Sequence, residues 1–448
     1  MAITATLSPA PSIPLAGALL AAVAAMPISA SDRQAAAWFS LDAIACILGA
    51  QLEEAAHAVL AWARSEAVTP ARRAFVYGAL SNILEMDAMH RASSTHPGTV
   101  VVPAVLALAV SRQVSGEDFL SAVLKGFEVS ARIGVAAGAT HARLYQSTST
   151  CCPFGAAVSA ALLLRLDAHA QLQALGNAGT RSGGLWQFVQ DGSLTKQWHA
   201  GRAAEDGVCA AQLAGHGLSG PARILEGEKG FFSVMCPDAN VALVSGQRDT
   251  WSLPDVSYKP WPSPRHTHPA IDAALRLSNR GGASITSVTV QTYPVALQLC
   301  NMINPETEHA ARFSIAYCVA AALQDGHVDA SSFLAPARER HRELTRHVRV
   351  AASDRFAAAF PAAWGAQVSV VLSDGTTATA HVDHAKGDPL SPMSDAERYA
   401  KALDLLGRGG VVQAQDLADQ VLAMASGNAF PAAAFSAALR LAPSGSAG

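Results

Sequence analysis

Charge is scarce in this sequence. Only 15% of its 448 residues are Asp, Glu, Lys or Arg, and 32 basic against 35 acidic residues leave a formal net charge of −3. A nucleic-acid binder would show a basic stripe or a high pI, and this composition has neither. Half of the residues are hydrophobic, whereas a disordered chain combines low hydrophobicity with high charge. Lysine is rarer still: Lys125, Lys196, Lys229, Lys259, Lys386 and Lys401 are the only lysines among the 32 basic residues. Arginine therefore serves the solvated surface, and a lysine inside an apolar stretch is a more specific choice. The flanks of Lys125, Lys386 and Lys401 read as solvated helix or loop.

Several motifs are missing as well. There is no GxSxG elbow, no GxGxxG after a strand, no GxxxxGK[ST] loop and no HExxH, so hydrolase, dinucleotide, phosphate-loop and zinc-protease readings have no support. The seven cysteines are odd in number, form no CxxC pair and include the adjacent Cys151 and Cys152. Reduced thiols in a cytoplasmic protein are the expectation. No Lys or Arg precedes Arg33, so the apolar stretch from Pro14 to Met26 lacks the basic start of a secretory signal. Pro27 also cuts it too short to span a bilayer. It reads as a first buried helix, with no membrane partner.

What is present is helix after helix from about residue 14 to 250. Ser31-Asp32 offers an N-cap, and Ala/Leu-rich stretches follow at 51–65, 70–90, 102–112, 116–137, 154–166 and 199–215. The texture changes after Trp251. Residues 284–293 alternate with period two, 347–352 form a second strand candidate, and 367–372 and 376–382 flank an Asp374-Gly375 hairpin turn. Helices at 268–279 and 309–324 accompany these strands, and helical pattern resumes from 394. The expected architecture has two domains. A large all-α helical domain is built from both chain ends, 1–266 and 394–448, and a smaller α+β lid domain covers 267–393.

Four stretches concentrate polar groups in apolar surroundings. In LEMDAMHRASSTHPG (84–98), Asp87 and His90 would share one helix face, joined by Glu85, Arg91 and His96. His and carboxylate can bind metal, but no metal-ligand spacing supports it and no metal is expected. In ARLYQSTSTCCPFGAA (142–157), a Ser/Thr run precedes an apolar helix, and Tyr145 stands beside it. In the stretch 179–204, Gly183-Gly184 and Gly192 make a loop, with Lys196 at the start of the next helix, where free N–H groups and a cation favour an anion. In YKPWPSPRHTHPAIDAAL (258–275), Lys259, Arg265, His266 and His268 fall at the domain junction, a preferred place for a small-molecule cleft. Cations, imidazoles, a phenol and carboxylates together suit an acidic small molecule and proton transfer.

In this ordered series, with MPISASDRQAAAWFSLDAIACILGA (26–50), GPARILEGEKGFF (220–232), NPETEHAARFSIAYCVAAALQDG (304–326) and HAKGDPLSPMSDAERYAKALDLLG (384–407), the chain resembles the MmgE/PrpD family of dehydratases, decarboxylases and epimerases. The resemblance implies a helical body with an α+β lid, a homodimer, and no metal or organic cofactor. It places the family's acidic motif on Glu85 and Asp87, its HP histidine on His96, and its two lysines on Lys196 and Lys259. Two departures stand out. Asp87-Ala88-Met89 replaces an Asp-Asp-Thr of the lyases, and Pro264 stands where the decarboxylases carry a histidine.

The shared chemistry that the resemblance implies is movement of a proton at carbon α to a carboxylate, which requires fixed cations at the developing charge. Catalytic roles are expected for His96, Tyr145, Lys196 and His266, the two histidines as bases and Tyr145 as a proton donor on the opposite face. Glu85, Asp87, His90, Arg91, Lys259, Arg265 and His268 are expected to bind a small polycarboxylate. Because the departures remove polar groups, the expected activity is epimerisation of an iminodisuccinate-like amino-dicarboxylate. The alternatives are a lyase of the same family, 2-methylcitrate-type dehydratase or cis-aconitate-type decarboxylase, and a non-catalytic helical binding protein.

Overall fold

Ser29, rather than the Ser31-Asp32 pair, caps the first long helix. Its hydroxyl accepts the Asp32 N–H while the Asp32 carboxylate takes the Ser29 N–H, so Asp32 is the third-position partner of a capping box and not the cap. The computed structural model describes residues 13–65, 68–278 and 284–439. The first run of helices is α1 (Leu15–Ala25), α2 (Ala30–Gly49), α3 (Glu54–Arg64), α4 (Pro70–Ser81), α5 (Val101–Ala109) and α6 (Gly116–Leu144). There follow α7 (Ser147–Leu163), α8 (Ala168–Gly179), α9 (Gln187–Asp191), α10 (Thr195–Gly215), α11 (Phe231–Met235) and α12 (Ala242–Ser245).

Two further expectations fail in this part. The helix expected over 70–90 stops at Ser81, and the chain beyond it forms turns and a two-residue strand, β1 (Met89–His90). Asp87 and His90 therefore share no helix face. The Ser/Thr run does not precede α7 but forms its first turn, and Gln146 caps the helix by accepting the Ser149 N–H. α6 and α7 can lie almost backbone to backbone because both carry glycine at their crossing. A Cβ on Gly155 would sit 2.1 Å from Ser130 Oγ and 2.3 Å from the Gly126 carbonyl.

β1 pairs antiparallel with β2 (Val256–Ser257), and the texture change after Trp251 is real. The next elements are α13 (His268–Leu275), β3 (Ile285–Thr292), α14 (Pro294–Cys300), α15 (Glu308–Arg312), α16 (Ile315–Asp325) and α17 (Ala335–Arg346). Then come β4 (Val348–Ala352), α18 (Asp354–Ala359), β5 (Ala366–Leu372) and β6 (Thr377–Val382). The sheet order is β4-β3-β5-β6, with β3 and β4 parallel and the other neighbours antiparallel. Val288 and Val290 of β3 and Ala366, Val368 and Val370 of β5 are buried, as period-two alternation requires. α13 packs on β5 and β6, and α16 on β4.

The chain ends with α19 (Asp395–Arg408), α20 (Ala414–Ala423) and α21 (Ala432–Ala438). α19 and α20 both pack on α2. The apolar side chains separate into two main cores. One runs from Ala16 to Tyr258 and resumes from Met393 to Leu439, while the other takes Met89 and residues between Ala270 and Val382. Of the expected first domain, residues 1–12 and 440–448 lie outside the described residues. Among the described residues no single helix is long and apolar enough to cross a membrane, and α1 with α2 meets that length only as a pair bent by 113°.

Candidate active site

The chain from Asn82 to His96 links α4 to α5 by way of a short 3-10 turn, Pro97–Thr99. Glu85 follows a turn closed by its N–H on the Asn82 carbonyl and adopts φ of +55°, the left-handed region that non-glycine residues seldom occupy. Arg312 of α15 holds the preceding residue: its guanidinium donates to the carbonyls of Leu84 (2.8 Å) and Pro262 (2.9 Å). Lys401 of α19 supports the following one, donating to the Met86 carbonyl at 2.7 Å and to Asp42 Oδ1 at 2.6 Å.

Held in this way, the Glu85 carboxylate meets two lysines. Lys196, in the first turn of α10, donates to Oε1, and Lys259 lies 3.2 Å from Oε2. Lys259 also lies 3.6 Å from Asp87 Oδ1. Asp87 Oδ2 accepts from Asn82 Nδ2 at 2.9 Å and is 2.6 Å from His96 Nδ1. The His96 N–H donates to Thr148 Oγ1, which ties the loop to α7. Glu85, Asp87, Lys196 and Lys259 are all buried, so these charges persist only by compensating one another.

Burial alone would raise the Glu85 carboxyl, but Lys196 and Lys259 outweigh it and hold the pKa at about 2. Burial acts likewise on Asp87, and Lys259 and His96 overcome it to keep the carboxyl well below the usual range. Burial lowers His96 in spite of Asp87, with Lys259 and Lys196 pushing the same way. Lys259 is lowered by burial, then raised beyond its ordinary value by Asp87 and Glu85. At rest two cations face two carboxylates.

Of the residues expected in the site, Glu85, Asp87, His96, Lys196 and Lys259 thus come together. His266 lies within electrostatic range of Lys259 and His96, but its ring stacks on Trp364 and its Nδ1 bonds the Tyr293 hydroxyl at 2.7 Å. Its pKa is pushed down to about 3, first by burial and then by Lys259, His96 and Arg265. A group so weakly basic is a poor proton acceptor near neutral pH, which corrects its expected role as a base. Other expected ligands are occupied elsewhere. His90 bonds Ser93 at 2.7 Å, and burial lowers it to about 4. Arg91 pairs with Asp388 at 2.9 Å. Arg265 donates to the carbonyls of Ala385 and Lys386 and to His268 Nδ1, and His268 Nε2 bonds the Ser263 carbonyl. Arg265 thereby fastens the two chain crossings between the cores to each other, and Arg91 ties the 82–96 loop to the second of them. Tyr145 bridges to Leu185 and packs against His141, with no hydrogen bond from its hydroxyl to the cluster among the described residues.

The sequence reading missed Asn82, Arg312, Lys401 and His309, whose ring packs on Phe313 within electrostatic range of Glu85 and Lys196. Lys401 in particular is buried, not solvated. For Lys401 the local pattern hid the answer, since its partner Asp42 lies on a helix near the other end of the chain. Among the described residues, no three His, Cys, Asp or Glu side chains are grouped so as to hold a metal ion.

The chain is 30% identical over 349 residues to cis-aconitate decarboxylase of Homo sapiens, covering 74% of this chain and 72% of that protein. The Mus musculus enzyme of that name is 28% identical over 355 residues, 75% and 72% of the two chains. A cis-aconitate decarboxylase of Aspergillus terreus is 26% identical over 350 residues, 71% of each. Residues 18–244 match the model of the MmgE/PrpD N-terminal domain, and 261–424 match that of the C-terminal domain. The seam between these matches, residues 245–260, contains Lys259. With both halves matched in order, the chain is a member of the MmgE/PrpD family.

Proposed function

We propose that this protein is a lyase that decarboxylates an unsaturated tricarboxylate of the cis-aconitate type. The observation that carries the proposal is the convergence of Lys196 and Lys259 on one buried carboxylate beside the Asp87–His96 pair. The named relatives favour the lyase alternative over the epimerase expected from sequence. In such a substrate the bond between the methylene carbon and its carboxylate breaks and CO2 leaves. The electron pair forms a new double bond to the central carbon, and the old double bond takes up one proton at its far carbon. Lys196 and Lys259 would hold the retained carboxylates and stabilise the charge that spreads over them. His96, positioned by Asp87, would deliver the proton. Its basicity rises when a polyanion enters, because a nearby negative charge favours the imidazolium. Residues 267–393 would act as the α+β lid on the body formed by 1–266 and 394–448, with Lys259 at the crossing between them.

The test is incubation in D2O with EDTA, offering cis-aconitate, 2-methylcitrate and an amino-dicarboxylate separately and following products by NMR. The proposal expects release of CO2 from cis-aconitate and one deuterium in the product, undiminished by the chelator. Loss of water from 2-methylcitrate without decarboxylation would assign the dehydratase reaction instead. Neither turnover, with α-proton exchange on an amino-dicarboxylate, would return the function to epimerisation.

A further inference from the structure

The His266–Tyr293 pair is the strongest polar feature next to the cluster that the proposed reaction leaves unused. Tyr293, at the end of β3, is fully buried, stacked on Phe360 at 4.7 Å, and its hydroxyl has one hydrogen-bond partner among the described residues, His266 Nδ1. A buried O–H left without an acceptor is costly, so the phenol donates and Nδ1 accepts. Burial keeps the phenol protonated, well above its ordinary pKa. A neutral imidazole that accepts at Nδ1 must carry its proton on Nε2. The ring can neither slide nor flip freely, because it stacks on Trp364 with centroids 4.4 Å apart and planes 10° from parallel. Nε2 has no partner among the described residues and is not among the buried orphaned side-chain atoms, so it reaches accessible surface. The ring sits on the same crossing segment as Lys259.

We infer that Tyr293 locks His266 as a neutral Nε2–H donor, and that this donor hydrogen-bonds a carboxylate of the bound polycarboxylate instead of abstracting a proton. His266 is then a catalytic residue and Tyr293 a positioning residue acting through it. The inference rests on reading the cleft as a polycarboxylate site, but its first readout does not depend on turnover.

The experiment is 15N NMR of histidine-labelled full-length protein, with and without the unreactive tricarboxylate propane-1,2,3-tricarboxylate. For His266 the expected spectrum has the proton on Nε2 and a bare Nδ1, with the Nε2 resonance moving when the tricarboxylate is added. Tyr293→Phe should mix the two tautomers and lower kcat about tenfold with KM within about threefold. His266→Gln, which retains an N–H donor, should keep activity within about tenfold, and His266→Ala should lose roughly 100- to 1000-fold. A proton on Nδ1 in the wild type, an Nε2 resonance that ignores the tricarboxylate, or an unchanged tautomer in Tyr293→Phe would each overturn the inference. If the tricarboxylate moves Nε2 while no cis-aconitate is consumed, the donor role stands and the decarboxylase proposal falls.

Discussion

Replacing Lys259 with Met removes the side chain that reaches both carboxylates of the site. Lys259 is 1% exposed, so little water can take its place beside Glu85 and Asp87. Breaking one partner out of a buried ion pair costs about 3–5 kcal/mol, because the remaining charge stays buried without compensation. Here Glu85 keeps Lys196, and Asp87 keeps Asn82 and His96, which places the expected loss near the lower end, at about 3 kcal/mol. That is a large part of a typical stability of about 5–15 kcal/mol. The assay is urea unfolding by circular dichroism, read as a fall in midpoint at constant slope. Lys259→Met with Glu85→Gln removes a cation and an anion together, so the pair should be more stable than the sum of the single losses by about 1–3 kcal/mol. In activity, Lys259→Met should lose about 10- to 1000-fold in kcat/KM. A single variant within about 1 kcal/mol of wild type, with no coupling to Glu85→Gln, would refute the claim that these charges persist by mutual compensation.

Two further predictions follow from the same physics. Lys401→Met should cost about 3 kcal/mol, since Asp42 is buried with it. Lys386→Met, which breaks only a half-exposed pair with Glu397, should cost about 0–1 kcal/mol in the same unfolding assay. For pH, His90 and His266 are depressed to about 4 and about 3 in the folded state, from an ordinary 6.5. Below pH 6.5 the unfolded chain binds protons at these sites and the folded one does not, so stability is full above that pH and falls as pH drops. Between pH 6.5 and about 4 the two histidines should contribute roughly 2–3 kcal/mol per pH unit. His90→Asn should reduce the slope of stability against pH by about 1 kcal/mol per pH unit over this range, and an unchanged slope would contradict the burial argument.

The parts of the fold legible in sequence were those whose burial is one-sided. Residues 284–293 alternate because one face of β3 meets the core, and the Asp374-Gly375 turn marks β5–β6 because the Gly takes φ of +84°. Residues 82–96 misled for the opposite reason. Met86, Ala88 and Met89 are all buried, so an irregular segment enclosed on every side carries the same apolar density as a buried helix. The site was legible wherever a rare residue stood in an apolar setting, as with Lys196 and Lys259. It was illegible where the meaning of a charge depends on a distant partner. Lys401 looks like the polar face of an amphipathic helix until Asp42 of α2 is placed against it. The same holds for Arg265, whose acceptors are backbone carbonyls of a loop more than a hundred residues later.

Arg312 belongs to α15, whose neighbours lie in the core of residues 270–382, yet its guanidinium grips the Leu84 carbonyl on the other side. A left-handed, non-glycine conformation such as that of Glu85 costs about 1–3 kcal/mol and survives only where its surroundings impose it. The bent loop is thus a spring held under load by the opposite half of the molecule. Without the contact from Arg312, Glu85 would be free to relax toward ordinary backbone, and the carboxylate that joins Lys196 to Lys259 would lose the geometry that reaches both. The charge balance of the site is therefore a property of both cores at once, since one supplies the lysines and the other the grip that shapes the loop between them.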